Sequence, residues 1–274
     1  MRFAICQELF EGWEWERQCA FIAETGYTGI EVAPFAIADD VRAVDGEQLQ
    51  HMREVAQQHG LQVIGLHWLL AKTEGLHLTS DDADVREATA QYLAHLAWMC
   101  EALGGGLMVF GSPHQRNIFE KKSEPDAYRF ATATFARAFE LMQDSAVRIC
   151  MEPLTPKETN FINTCAEAMT LVEAVDDARF VLHQDVKAML GAESDSIPVL
   201  IDRYKDVTGH FHVNDSNLLG PGMGDTDFKP ILRALLDAQY TGWVSVEVFD
   251  YSPGAEHIAK VSLQYLQDTL ASIG

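Results

Sequence analysis

Short apolar runs alternate along the whole chain with longer segments in which apolar residues recur at helical spacing. The short runs predict eight strands: Arg2 to Cys6, Gly29 to Val32, Leu61 to His67, Leu107 to Phe110, Val147 to Glu152, Phe180 to Asp185, Val207 to Val213 and Trp243 to Val248. The segments between them predict helices over Trp15 to Thr25, Gly46 to His59, Ser80 to Leu103, Pro125 to Met142, Thr164 to Val175, Ile197 to Tyr204, Phe228 to Ala238 and Glu256 to Ile273. Gly26, Gly60 and the Gly104-Gly105-Gly106 run mark helix stops. Ser80, Asp81 and Asp82 form an N-cap cluster.

Strands that alternate with helices argue for a parallel sheet. Eight units in 274 residues, without a composition break, favour one closed (β/α)8 TIM barrel spanning residues 1–274. No strand is followed by GxGxxG and no P-loop is present, which removes the main support for an open nucleotide-binding sheet.

Charge narrows the partners. Forty-one acidic residues against 20 basic ones give a net charge of −21. Nucleic acid binding needs Lys and Arg at phosphates, so a nucleic acid partner is not expected. No apolar run is long enough for a bilayer, and no membrane association is expected. The five cysteines are odd in number and lack CxxC spacing, as expected of reduced thiols. Glu8 and Glu11 interrupt any apolar leader near the N-terminus. Together these features lead to the expectation of a cytoplasmic protein.

The chemistry is concentrated at the carboxyl ends of the later strands. Glu152, Asp185, His212 and Glu247 close strands five, six, seven and eight. In a barrel these ends converge on one face, where active sites form. Three carboxylates that meet there repel one another unless a cation neutralises them. One imidazole with three carboxylates suits a hard divalent ion of the Mn, Mg or Co type rather than thiolate-bound zinc. His210 and His183 lie one layer deeper, where they pack or orient a ligand. His67 with Trp68 ends strand three at the same mouth, as a substrate contact or a remnant of a second metal position. Ser112, His114 and Glu31 are weaker candidates nearby.

The segments Glu152-Pro153-Leu154 through Glu158-Thr159-Asn160-Phe161, Leu182 to Met189, Gly209 to Asp215 and Val244 to Glu247 resemble the xylose-isomerase-like TIM-barrel superfamily. Within it they are closest to the sugar isomerase and epimerase branch typified by D-tagatose and D-psicose 3-epimerases. The resemblance covers nearly the whole chain and is strongest from residue 147 to 250. It implies one divalent ion, Mn2+ first with Mg2+, Co2+ or Zn2+ as alternatives, held by Glu152, Asp185, His212 and Glu247. It implies that Glu152 and Glu247 are the catalytic acid and base, moving a proton next to a carbonyl. Glu158 matches the family glutamate at the substrate hydroxyls. His67, Lys187 and Asn214 complete the expected substrate-binding set.

Two positions depart from the branch. Ala188 stands where the branch has a histidine, and Leu218 where it has an arginine. Both family residues touch substrate, so the metal set is kept while the recognition set is changed. The expected function is a metal-dependent sugar or polyol isomerase or epimerase. A lyase, dehydratase or hydrolase acting on a keto-sugar or keto-inositol through the same metal site is the alternative. By the same resemblance the partners are a small sugar or polyol and further copies of the chain, as a homo-oligomer (a dimer or tetramer).

Overall fold

The computed structural model describes residues 1–120 and 122–274. Lys121, in the polar loop expected from His114 to Glu124, lies outside the described residues. Eight parallel strands close into a barrel in sequence order: β1 Arg2–Cys6, β2 Gly29–Val32, β3 Gln62–Leu66, β4 Leu107–Phe110, β5 Arg148–Met151, β6 Phe180–Asp185, β7 Thr208–Val213 and β8 Trp243–Val246. β1 pairs with both β2 and β8, which completes the ring.

Among the described residues nine helices surround the strands: α1 Trp15–Thr25, α2 Gly46–Gln58, α3 Ala83–Leu103, α4 Glu124–Leu141, α5 Cys165–Val175, α6 Val186–Ala192, α7 Ile197–Tyr204, α8 Phe228–Asp237 and α9 Ala255–Ile273. Local sequence sets their ends. Asp82 caps α3 by accepting the Asp84 N–H, and Thr164 and Glu167 form a reciprocal capping box on α5. The expected eight helices miss α6, which follows β6 with no loop between them. Among the described residues no helix is long and apolar enough to cross a membrane.

The main apolar core lies between the strands and the surrounding helices. Inside the barrel the filling is layered. Ala4, Ile64 and Trp243 form one small apolar cluster near the strand starts, and Leu107, Val109 and Cys150 form another, with Val109 reaching the cleft that Glu152 and Glu247 line. Gly65 brings β3 and β4 together there: a Cβ at this position would sit 2.1 Å from the Leu107 carbonyl oxygen. Toward the strand ends the interior turns polar, with Glu31, His183, His210, His212 and Ser245 all fully buried. Two register shifts accompany this change, between Ile30 and Glu31 on β2 and between Leu182 and His183 on β6. Such irregularities re-aim side chains next to active sites.

Candidate active site

Strand register sets the level of the site. Asp185 on β6 is opposite His212 on β7, and His212 is opposite Ser245 on β8. Glu152 and Glu247 follow directly on β5 and β8, held by N–H bonds to Phe110 O at 3.1 Å and Val213 O at 3.3 Å. One ligand-type atom from each of Glu152, Asp185, His212 and Glu247 comes within 4.8 Å of the others.

Each member has its own support. Asp185 Oδ1 accepts the Ala188 N–H at 2.7 Å, and Oδ2 accepts from Asn214 Nδ2 at 2.5 Å. His212 stands between two carboxylates: Nδ1 is 3.1 Å from Glu247 Oε2, and Nε2 is 3.1 Å from Glu31 Oε2. His210 also donates to Glu31, at 2.8 Å. Glu152 is supported from behind. The fully buried Arg116 donates to the Glu152 carbonyl at 2.6 Å and to the Ile162 carbonyl at 3.1 Å. One guanidinium therefore ties the end of β5 to the loop that carries Glu158.

Gly111 gives the Glu152 carboxylate its room. A Cβ on residue 111 would lie 2.3 Å from Glu152 Oε2. Any side chain there would move the carboxylate.

The electrostatics of the group fit an acceptor of positive charge. Burial raises Glu152 well above the usual carboxylate range, and Glu247 and Asp185 push it further. Burial also raises Asp185, partly offset by Lys187. Burial acts on Glu247 in the same direction, but the hydrogen-bonded His212 imidazolium outweighs it and holds Glu247 low. His212 itself is held well above its usual value, against burial, by Glu31 and Glu247. Three buried carboxylates thus share one imidazole. Oxygen-rich sets of this kind match Mn2+ or Mg2+.

A second set, Cys6, Glu8, His67 and Glu247, also draws within 4.8 Å. Burial pushes the Cys6 thiol up to about 11, so it stays a neutral thiol. His67 already donates to Glu8 at 2.5 Å. The oxygen-rich set is the better cation site.

The remaining expected residues are placed as follows. Glu158 and His67 line the cleft beside Glu152 and Glu247. Lys187 is buried in the first turn of α6, 2.7 Å from Glu158 Oε1 and 3.8 Å from the Phe249 ring centroid. That ion pair holds Glu158 low against burial. Asn214, expected at the substrate, is fully buried and already engaged: its amide binds Asp185 through Nδ2 and the Lys187 N–H through Oδ1. Its place is behind the cleft. Glu31 is bound by two imidazoles, those of His210 and His212. Ala188 is buried and caps through its backbone. Leu218 is exposed, with its carbonyl taken by the N–H groups of Phe249 and Asp250.

Sequence reasoning missed Arg116 and Glu8. Arg116 depends on carbonyls contributed by residues 152 and 162, and no local pattern signals that. Glu8 sits in a 3-10 turn directly after β1, one turn beyond an apolar strand, and its position at a strand end was a usable signal.

Comparison with known proteins identifies the family and the fold. The model of the family described as "Xylose isomerase-like TIM barrel" matches residues 19–269. A D-psicose 3-epimerase of Agrobacterium fabrum is 27% identical over 253 residues, covering 86% of this chain and 82% of that protein. A probable ketose 3-epimerase of Synechocystis is 23% identical over 263 residues, covering 89% and 87%. The crystal structure of a D-psicose 3-epimerase in the presence of D-fructose superposes with a TM-score of 0.85 at 22% identity, covering both chains fully.

Proposed function

The chain belongs to the xylose isomerase-like TIM-barrel family, and from that premise we propose that it is a divalent-metal-dependent ketose epimerase. The observation that carries this reading is the convergence of Glu152, Asp185, His212 and Glu247 from four consecutive strand ends. These four would hold the ion, Mn2+ before Mg2+, Co2+ or Zn2+. When bound, the ion supplies positive charge that stabilises the anion formed beside a ketose carbonyl.

The chain's own residues do the rest. Glu152 and Glu247 both line the inner cleft. One removes the proton from the carbon next to the carbonyl, and the other returns a proton from the opposite side. Their roles exchange in the reverse direction. Glu31 takes the Nε2–H of His212, which leaves Nδ1 toward the carboxylates. Asn214 and the Ala188 N–H fix Asp185. Glu158, oriented by Lys187 and by the Thr155 hydroxyl at 2.8 Å, receives the substrate hydroxyls. Trp68 and Phe249 cover the cleft and limit water.

The named relatives are 3-epimerases. This favours epimerisation at carbon 3 over the lyase, dehydratase or hydrolase alternative. The test is metal analysis of the purified protein, followed by assay on a ketose panel in deuterated water. Bound divalent metal and deuterium at carbon 3 of both epimers support the reading. A metal-loaded protein that exchanges no ketose proton ends it.

A further inference from the structure

The inner cleft at the carboxylates has a volume of about 40 Å3. A second cavity of about 570 Å3 opens beside it, and Trp68, Ser112 and Pro113 line both. The outer chamber is walled by the loops after β1, β2, β3, β4 and β8. Its size falls in the range of about 300–1,000 Å3 usual for pockets that enclose drug-sized ligands. A single ketose anchored at the inner carboxylates fills only part of it.

The wall chemistry selects the occupant. Trp13, Phe35, Trp68 and Tyr251 present aromatic rings. Gln7, Glu8 and Gln18 are exposed by only 3%, 6% and 6%. Each has a side-chain oxygen without a protein hydrogen-bond partner, and the Trp68 indole N–H also has none. Opposite charges are present in the lining: Glu8 is tied to His67, and Glu11 and Lys72 bring one charge of each sign, with the Lys72 ammonium 4.2 Å from the Phe35 ring centroid. The lining has no arginine among the described residues, so nothing there forms the fork that grips a phosphate. Aromatic planes beside hydrogen-bonding amides, without net charge, match a neutral sugar ring.

The backbone of this wall is unusual as well. Trp68, Lys72 and Ser112 adopt left-handed conformations, with φ of 53°, 60° and 41°. Non-glycine residues persist there only when their surroundings hold them, and such positions cluster at ligand clamps. The Ser112 hydroxyl accepts the Leu70 N–H at 3.2 Å, joining the loops after β3 and β4.

We propose that the outer chamber is a second sugar-binding subsite, and that the preferred substrate is a keto-sugar bearing a neutral glycosyl unit at the end remote from the reacting carbons. This rests on the ketose-epimerase reading for which end of the substrate is anchored. The probes are D-fructose, isomaltulose (fructose with a glucosyl unit on O6) and D-fructose 6-phosphate, each titrated against the Mn2+-loaded full chain by tryptophan fluorescence. Isomaltulose binds at least tenfold more tightly than the other two, and its kcat/KM exceeds that of fructose by at least tenfold. Ala36→Trp, at an exposed lining position where folding is not at stake, lowers the isomaltulose-to-fructose binding ratio at least fivefold. Equal binding of isomaltulose and fructose, tighter binding of the phosphate, or an unchanged ratio in the variant overturns the subsite. If no ketose exchanges a proton, the epimerase reading fails, and the binding ratios alone still decide the subsite.

Discussion

The two halves of the barrel mouth are built on opposite plans. On β5 to β8 the functional groups project from strand ends, and the carboxylates have assigned partners, although neither ring nitrogen of His183 has one. Asp185 has an amide on each oxygen, Glu158 has a lysine and a hydroxyl, and the Glu152 backbone has Arg116. On β1 to β4 the groups sit on loops, with left-handed backbone and polar atoms that lack partners. The first half is a fixed chemical centre. The second is a receptive wall. Between them Glu31 joins β2 to β7 through His210 and His212, so the halves share a buried ionic seam across the barrel interior. Rigid strand ends suit chemistry that tolerates little displacement, and loops suit recognition that varies between relatives.

This division can be broken most sharply at its centre. Glu152→Gln or Glu247→Gln should lower kcat by about 10³-fold, within the range for loss of an acid or base. Solvent deuterium exchange at carbon 3 measures it, and a loss of less than tenfold would return the chemistry to other groups. Removing the ion with a chelator should abolish the same exchange, with Mn2+ restoring it and raising the unfolding midpoint.

Next in size is the clamp behind β5. Arg116→Met leaves the buried Glu152 carbonyl without its donor and the Ile162 carbonyl with only the Leu154 N–H, and should destabilise the protein by about 3 kcal/mol, on the scale of a broken buried charge–dipole set. Urea unfolding reads this directly. A value near zero would mean that Glu152 is held by the strand alone. Gly111→Ala should act in the opposite register. Its Cβ meets the movable end of Glu152, so stability should shift by less than about 1 kcal/mol while kcat falls roughly tenfold or more.

Smaller still is Glu158→Gln, which removes one charge from the Lys187 pair. We expect KM to rise about tenfold with a lesser change in kcat, as befits a binding contact. The weakest effect concerns the thiols. Burial pushes Cys6 up to about 11 and Cys19 and Cys150 up to about 12. Since the thiolate is the reactive form, alkylation at pH 8 should be negligible in the native protein and complete at all five cysteines in denaturant. Rapid native labelling would show that the interior opens.

Much of the fixed half was legible in the sequence because it obeys local rules. Apolar runs that end in an acid or an imidazole identify strands by period and their chemical ends by position, so Glu152, Asp185, His212 and Glu247 could be named without coordinates. What escaped was non-local or doubly employed. The first turn of α6 was hidden because Asp185 ends a strand and caps a helix with the same carboxylate. Lys187 and Asn214 were therefore expected at the substrate, although burial turns one into an ion-pair partner and the other into a brace. The receptive half was less legible. Its wall draws on five separate loops, and the left-handed conformations at Trp68 and Ser112 occur at residue types that do not announce them.

The double duty of Asp185 has a further consequence. The carboxylate proposed as an ion ligand also starts α6, through the Ala188 N–H. Charge withdrawn from that oxygen weakens the cap, and a firmer cap stiffens the ligand. Helix fraying and ion occupancy are then one thermodynamic variable seen from two ends. Amide hydrogen exchange in the first turn of α6 would report the occupancy of the proposed metal site without any substrate present.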